Sequence, residues 1–283
     1  HAKVDQTRME NYADLAVLFE HPEWQKPLFK ALEWRGVRYF QVDLKRAVFS
    51  DTDPLLAPLY FNQASPSAYV RGNTRAVPLA LAYMRTLALR GARVLNGADV
   101  FALELSKSAQ ATLLRTLANA KRTRNVQPAG DLAALGSLLK SKDVSLRQAA
   151  VDCVGVWKLE SLRPAISGIV QDSQLEQSAR IAALQAIAQL GGPASSELLT
   201  SITTSKENES VRGTALSLLV PINTGSAAQL AVGFMNSSED HGTQAQVISA
   251  FLQHKGGSDV LAKVLSDKKL PEDAAKIALR TVT

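Results

Sequence analysis

The sequence is poor in the residues from which most catalytic and metal centres are built. Among 283 residues there is one cysteine, Cys153, and there are four histidines. A single cysteine excludes an internal disulfide and a cysteine-rich metal site. Cys153 reads as a small buried residue on a helix. His21, His241 and His254 are scattered along the chain and His1 is terminal, so no metal set forms. No Ser-His-Asp or Cys-His group can be assembled, and no catalytic residue is assigned. No apolar run approaches the roughly 20 residues that a membrane-spanning helix needs. The chain starts at His1 with no charged-then-apolar leader, which reads as the edge of a fragment.

What remains is an ordinary globular composition, 46% hydrophobic and 20% charged. The net charge of +6 is unevenly spread. Residues 1 to 125 carry 18 Lys+Arg against 11 Asp+Glu, and residues 126 to 283 carry 14 against 15. That asymmetry points to two units of different kinds. The basic residues are scattered apart from Lys121, Arg122 and Arg124, so a solvated surface explains them better than a nucleic-acid face.

The first unit alternates strands and helices. "ADLAVLF" is an apolar run of strand length, and "EWQKPLFKALEWRG" repeats Trp24, Leu28 and Leu32 at helical spacing until Gly36 stops it. "VRYFQVDL", "PLYFNQ" and "ARVLN" return as strands, with the helix "RAVPLALAYMRTLALRG" between the last two and another helix starting near Asp99. Short connections make βαβ units and a small, doubly wound parallel sheet. In such sheets ligands sit outside the carboxyl ends of the strands. Asn62, Ser65, Ser67, Arg71 and Asn73 fall in one such loop and Asn96 in another, where they can grip a carboxylate or amide. Ser, Pro, Gly and Asn are equally what ordinary loops contain. Asp51 and Asp53 before Pro54 read as turn caps, and His21, with Glu20 and Glu23, reads as solvent-exposed loop.

The stretches "LFEHPEWQKPLFKALEWRGVRYFQVDL", "FNQASPSAYVRGN" and "RVLNGADVFALELSKSAQATLL" together resemble the N-terminal domain of ATP-grasp ligases of the glutathione-synthetase-like branch, over about residues 11–117. The resemblance implies a carboxylate–amine ligase that uses ATP and magnesium, with substrate contacts on the loop and a Ser106-Lys107 pair near the nucleotide. Gln63 departs from it, since the family commonly has Arg there. After Leu117 the rest of the machinery is missing: there is no strand ending in Lys-Pro, no Gly-rich flap and no late acidic-Asn cluster. Lys140 and Lys142 follow an apolar helix instead. No cofactor is therefore expected, and ATP and magnesium enter only if another chain supplies the catalytic lobe.

After a basic linker at 118–130, the pattern from Asp131 to the end is helix after helix. "DVSLRQAAV", "LEQSARIAAL", "NESVRGTAL", "GTQAQVISAF" and "PEDAAKIAL" align Arg147, Arg180, Arg212, Gln246 and Lys276 in one column, at steps of 33, 32, 34 and 30 residues. Asp143, Glu176, Asn208 and Glu272 stand four earlier, placed for an intrahelical pair or a ladder to the next repeat. Ala150, Ala183 and Ala215 follow at helical spacing. A second helix lies between columns, with Gly191-Gly192 and Gly256-Gly257 as helix stops and Trp157 in the core. Such self-similarity marks an all-α solenoid of helix pairs. "D-x-x-[LV]-R-x-x-A" resembles the HEAT repeat, in its short-period bacterial form, over 131–283. A more distant likeness is to HEAT segments of planctomycete-type dehydrogenases that carry a c-type haem domain. The Cys-x-x-Cys-His haem signature is absent, so no haem is assigned. "KIALRTVT" reads as the first helix of a fifth pair without its partner.

The function expected is a non-catalytic scaffold that presents a concave repeat face to a protein partner, on a chain that reads as a chimaera of two interrupted families. The ligase-like half points to the cytoplasm and the HEAT half to an exported protein. Self-association is expected through the sheet face left open by the missing lobe and through the last repeat helix.

Overall fold

The computed structural model describes residues 13–266, and beyond them 272, 275, 276 and 280. Its contacts divide the chain into two compact units between Gln110 and Ala111.

The first unit is a four-stranded parallel sheet, β1 (Leu15–Phe19), β2 (Tyr39–Asp43), β3 (Leu59–Asn62) and β4 (Arg93–Leu95), in the order β2-β1-β3-β4. β1 is apolar throughout and buried throughout, as a central parallel strand must be when both its faces are covered. One face sets Ala16, Leu18 and Tyr60 against Met84 and Leu87 of α2 (Ala76–Leu89) and Phe101 of α3 (Ala98–Leu105). The other sets Leu15, Val17 and Phe19 against Phe29 of α1 (Pro22–Trp34), with the Phe19 and Phe29 rings edge to face at 5.5 Å. The chain leaves β1 toward β2 and returns to β3 on the opposite side. This reversal opens a crevice beyond the carboxyl ends of β1 and β3. The expected doubly wound α/β fold is the observed one.

The second unit is built of helices. The helix α4 (Lys107–Arg124) is followed by a 3₁₀ stretch, Leu132–Lys140. The pairs are then α5 (Val144–Val156) with α6 (Arg163–Gln171), α7 (Gln177–Leu190) with α8 (Gly192–Thr203), α9 (Glu209–Leu219) with α10 (Thr224–Ser237), and α11 (His241–Gln253) with α12 (Gly257–Ser266). One continuous core runs from Ala111 to Leu261. Cys153 and Trp157 lie in it, as expected. No strand occurs in this unit among the described residues. The final helix expected at 271–283 falls outside the described residues except at those four positions.

Two expectations need correction. Residues 118–124 are not linker but the last turns of α4, with Ala118 fully buried in the repeat core. The reason is a repeat register that extends one unit further back. Leu114, Arg115 and Ala118 occupy the places of Leu146, Arg147 and Ala150, and all four apolar residues among these are buried. The second correction concerns Gln246, which is exposed. The side chain in the column is Gln244, which is buried. The true column is therefore Arg115, Arg147, Arg180, Arg212, Gln244 and Lys276, at steps of 32, 33, 32, 32 and 32 residues.

Candidate functional site

The loop after β3 runs into a 3₁₀ helix, Pro66–Arg71, because Ser65 caps it by accepting from the Ser67 amide and Gly72 ends it in the left-handed region at φ 79°. Ser65 and Ser67, expected as ligand contacts, bond each other at 2.8 Å and serve that cap. Asn62 and Asn96 form a reciprocal clamp. The amide of Asn62 donates to the Asn96 carbonyl at 3.1 Å, and the amide of Asn96 donates to the Asn62 carbonyl at 3.3 Å. The clamp ties the ends of β3 and β4 together and holds Asn96 at φ 52°.

Arg71 and Asn73 converge on Glu20, at the end of β1. Glu20 is 2% exposed, which overturns the reading of it as solvent-exposed loop, whereas Glu23 is exposed as expected. Arg71 pairs with its carboxylate and also donates to Ser67 Oγ at 3.1 Å, while Asn73 Nδ2 donates to Glu20 at 2.7 Å. The Arg71 guanidinium lies 4.7 Å from the Trp24 ring centre, on which His21 stacks at 4.4 Å. Arg71 and Asn73 thus converge on a carboxylate of the chain itself. Burial forces this pairing, since an unpaired charge at this depth is costly. The adjoining crevice, 280 Å³ in volume, is lined by Asn62, Gln63, Asn96 and Glu104 among others and presents no cation. Ser106 caps α4 by accepting from the Ala109 amide, and Lys107 bonds Gln110 at 3.3 Å. Asp53 caps its turn through the Ser50 amide, as expected.

In the repeat unit the column side chains share one task. Arg147 donates to the carbonyl of Ser141, Arg180 to Val170, Arg212 to Thr203 and Gln244 to Ser238, at 2.8 to 3.1 Å. Each thereby satisfies a carbonyl at the end of the preceding helix, where intrahelical partners run out. The acidic or amide residue four earlier is the N-cap. Asp143, Asn208 and Asp240 accept from helix amides, and only Glu176 among these caps lacks such a bond. Ion pairs run to the next repeat: Arg147 to Glu176 at 2.9 Å and Arg180 to Glu207 at 2.7 Å. Glu209 links repeats in the opposite direction, accepting from the Ser238 hydroxyl at 2.6 Å and from the amides of Glu239 and Asp240. The Ser238 bond and those amides hold the Glu209 carboxyl below the usual glutamate range, as the Arg180 guanidinium does for Glu207. Glu272 and Lys276 form the one expected intrahelical pair, at 2.6 Å. Cys153 donates to the Leu114 carbonyl at 3.4 Å, and burial pushes its thiol up to about 12. It is not a nucleophile.

The first helices of the pairs form a row in which α5 packs on α7, α7 on α9 and α9 on α11, whereas α8 and α10 meet at few points. Missing side chains permit this. A Cβ on Gly155 would lie 2.8 Å from the Ala186 Cα, and one on Gly213 would lie 2.0 Å from the Thr243 methyl. At the start of the row, α4, α5 and α7 enclose a groove of 380 Å³ that includes Arg115, Arg122, Gln148, Asp152 and Gln185. Of these five only Arg122 stood out in the sequence, within a basic cluster read as solvated surface. The signal available was Arg115, which stands one repeat period before Arg147.

No curated protein and no solved structure matches the chain. The α/β unit is not identified by family, and no ligase homology is shown for it. Residues 132–220 match the family model of HEAT repeats, from the 3₁₀ stretch through α9. The packed helix pairs of this region are HEAT repeats.

Proposed function

We propose that the chain is a non-catalytic scaffold whose HEAT array binds a protein partner along the row of first helices. HEAT repeats support protein binding in general. The observation that carries the choice of face is a stripe repeated once per pair. Asp152, Gln185, Ser217 and Ser249 occupy one place on α5, α7, α9 and α11, at steps of 33, 32 and 32 residues, and none of them is buried. Gly155 and Gly213 let α5 approach α7 and α9 approach α11 closely. Close approach along this row supports curvature toward it, with the row on the concave side. Continuous polar side chains on a concave solenoid face suit an extended partner.

Photo-crosslinkers placed at Gln185, Ser217 and Gln246, and for comparison at Glu197 and Gln229 on second helices, test this. Crosslinks to a partner confined to the first three positions are expected. Crosslinks confined to the second helices would refute the choice of face.

The alternative is an ATP-dependent ligase completed by another chain. It requires Arg71 and Asn73 to hold a substrate, but both are committed to Glu20. An ATP–magnesium titration is expected to give no binding.

A further inference from the structure

The groove between α4, α5 and α7 carries a charge pattern that points to the chemistry of its occupant. Its floor is small and apolar, formed by Ala149, Ala182 and Ala186. Its walls hold two guanidiniums, Arg115 and Arg122, and two amides, Gln148 and Gln185. Asp152 is the single carboxylate in the lining, and Arg122 engages it. Arg115 is exposed and donates to Ser145 Oγ at 2.8 Å, with no carboxylate paired to it among the described residues. Further along the row the places equivalent to Arg122 are the apolar Val154, Ile187 and Leu219, and the arginines equivalent to Arg115 are engaged, Arg147 and Arg180 by carboxylates and Arg212 by the Thr203 carbonyl.

We infer that the groove takes an extended peptide segment of the partner bearing an acidic side chain, an inference that rests on the scaffold reading above. Arg115 receives the carboxylate, because a planar guanidinium presents paired N–H groups that match two carboxylate oxygens. Gln148 and Gln185 meet the peptide main chain, since an amide offers both a donor and an acceptor. The alanine floor admits the backbone at close range. A nucleic acid fits poorly, because two guanidiniums, one already paired, fall far short of the roughly 6–10 phosphate contacts that make such binding strong.

The test is fluorescence anisotropy on the full chain with three labelled peptides of equal length, in which Glu, Gln or Lys alternates with Ala, and with a duplex DNA. The Glu peptide should bind best, the Gln peptide about tenfold more weakly and the Lys peptide not at all. Arg115→Gln should cost the Glu peptide about tenfold and leave the Gln peptide unchanged, and Asp152→Asn should tighten the Glu peptide. Should Arg115→Gln alter folding, Gln185→Glu places a repelling carboxylate on α7 and should selectively weaken the Glu peptide. Equal binding of the Glu and Gln peptides, or an Arg115→Gln chain that binds the Glu peptide as the parent does, overturns acid recognition and leaves the scaffold reading intact. Failure of every peptide, with or without steeply salt-dependent DNA binding, overturns the groove inference, and the crosslinking experiment decides the scaffold reading separately.

Discussion

The two units solve the same problem, the placement of buried polar groups, in opposite ways. In the α/β unit one carboxylate, Glu20, gathers Arg71 and Asn73 from 51 and 53 residues away, once. In the repeat unit a side chain in each pair reaches a carbonyl 6 to 10 residues back and, where it is Arg147 or Arg180, a carboxylate 27 to 29 residues ahead. A single long-range cluster fails as a whole, whereas a repeated short-range device fails one repeat at a time. Substitutions in the two units should therefore differ in the reach of their effects.

The largest effect is expected at Arg180, which is 5% exposed. Arg180→Leu strands the Glu207 carboxylate and the Val170 carbonyl, and should cost about 2–4 kcal/mol, the lower end reflecting the partial exposure of Glu207. Hydrogen exchange should show the loss centred on α6 through α9, with the α/β unit unchanged. Glu20→Ala leaves Arg71 without its counter-charge and should cost about 2 kcal/mol, discounted because Arg71 is partly exposed. Its exchange signature should spread over β1 and residues 61–75 and leave the repeats untouched. If Glu20→Ala loosened the array as well, the two units would not be energetically separate.

Gly213→Ala should cost about 1–2 kcal/mol, since the new methyl meets Thr243 and the helix-propensity gain offsets only part of that strain. Adding Thr243→Ser, which removes the opposing methyl, should restore most of it in a thermal melt. Acidification should weaken the repeat unit in particular. Glu207 and Glu209 have carboxyls depressed by Arg180 and by Ser238 respectively. Their contribution is therefore complete above the unfolded glutamate value of about 4.3 and is lost as pH falls through the folded values. Melts between neutral and acidic pH should show a shallower decline for Glu209→Gln than for the parent. The smallest effect is expected at Glu160, whose own carboxylate is largely solvent-exposed and whose partner Arg163 keeps Ser195 and the Gly191 carbonyl: Glu160→Gln should change stability by less than about 0.5 kcal/mol.

Most elements are legible because their cause is local. The buried run of β1, the stop at Gly36 (φ 65°) and the N-caps Asp143 and Asn208 each depend on a few adjacent residues. The repeat column was nearly legible too, and the misplacement of Gln246 for Gln244 has a simple origin. Gln stands at both positions; the even 32-residue step and Asp240 four places earlier favour Gln244, and burial against the end of α10 decides it. The array's true beginning in α4 was obscured because Arg115 lacks an acidic residue four places earlier and because Lys121, Arg122 and Arg124 resemble a linker. The α/β site was read incompletely for a different reason. Glu20 looks like an ordinary polar residue after a strand, and nothing near it in the chain announces Arg71.

Periodicity, capping and turn chemistry act within about ten residues, so the chain's order of strands and helices and its 32-to-33-residue repeat follow directly from the amino-acid order. The partner of each buried charge does not. Glu20 with Arg71 and Arg180 with Glu207 arise only when elements pack, because desolvation penalises an unpaired charge wherever the fold happens to bury it.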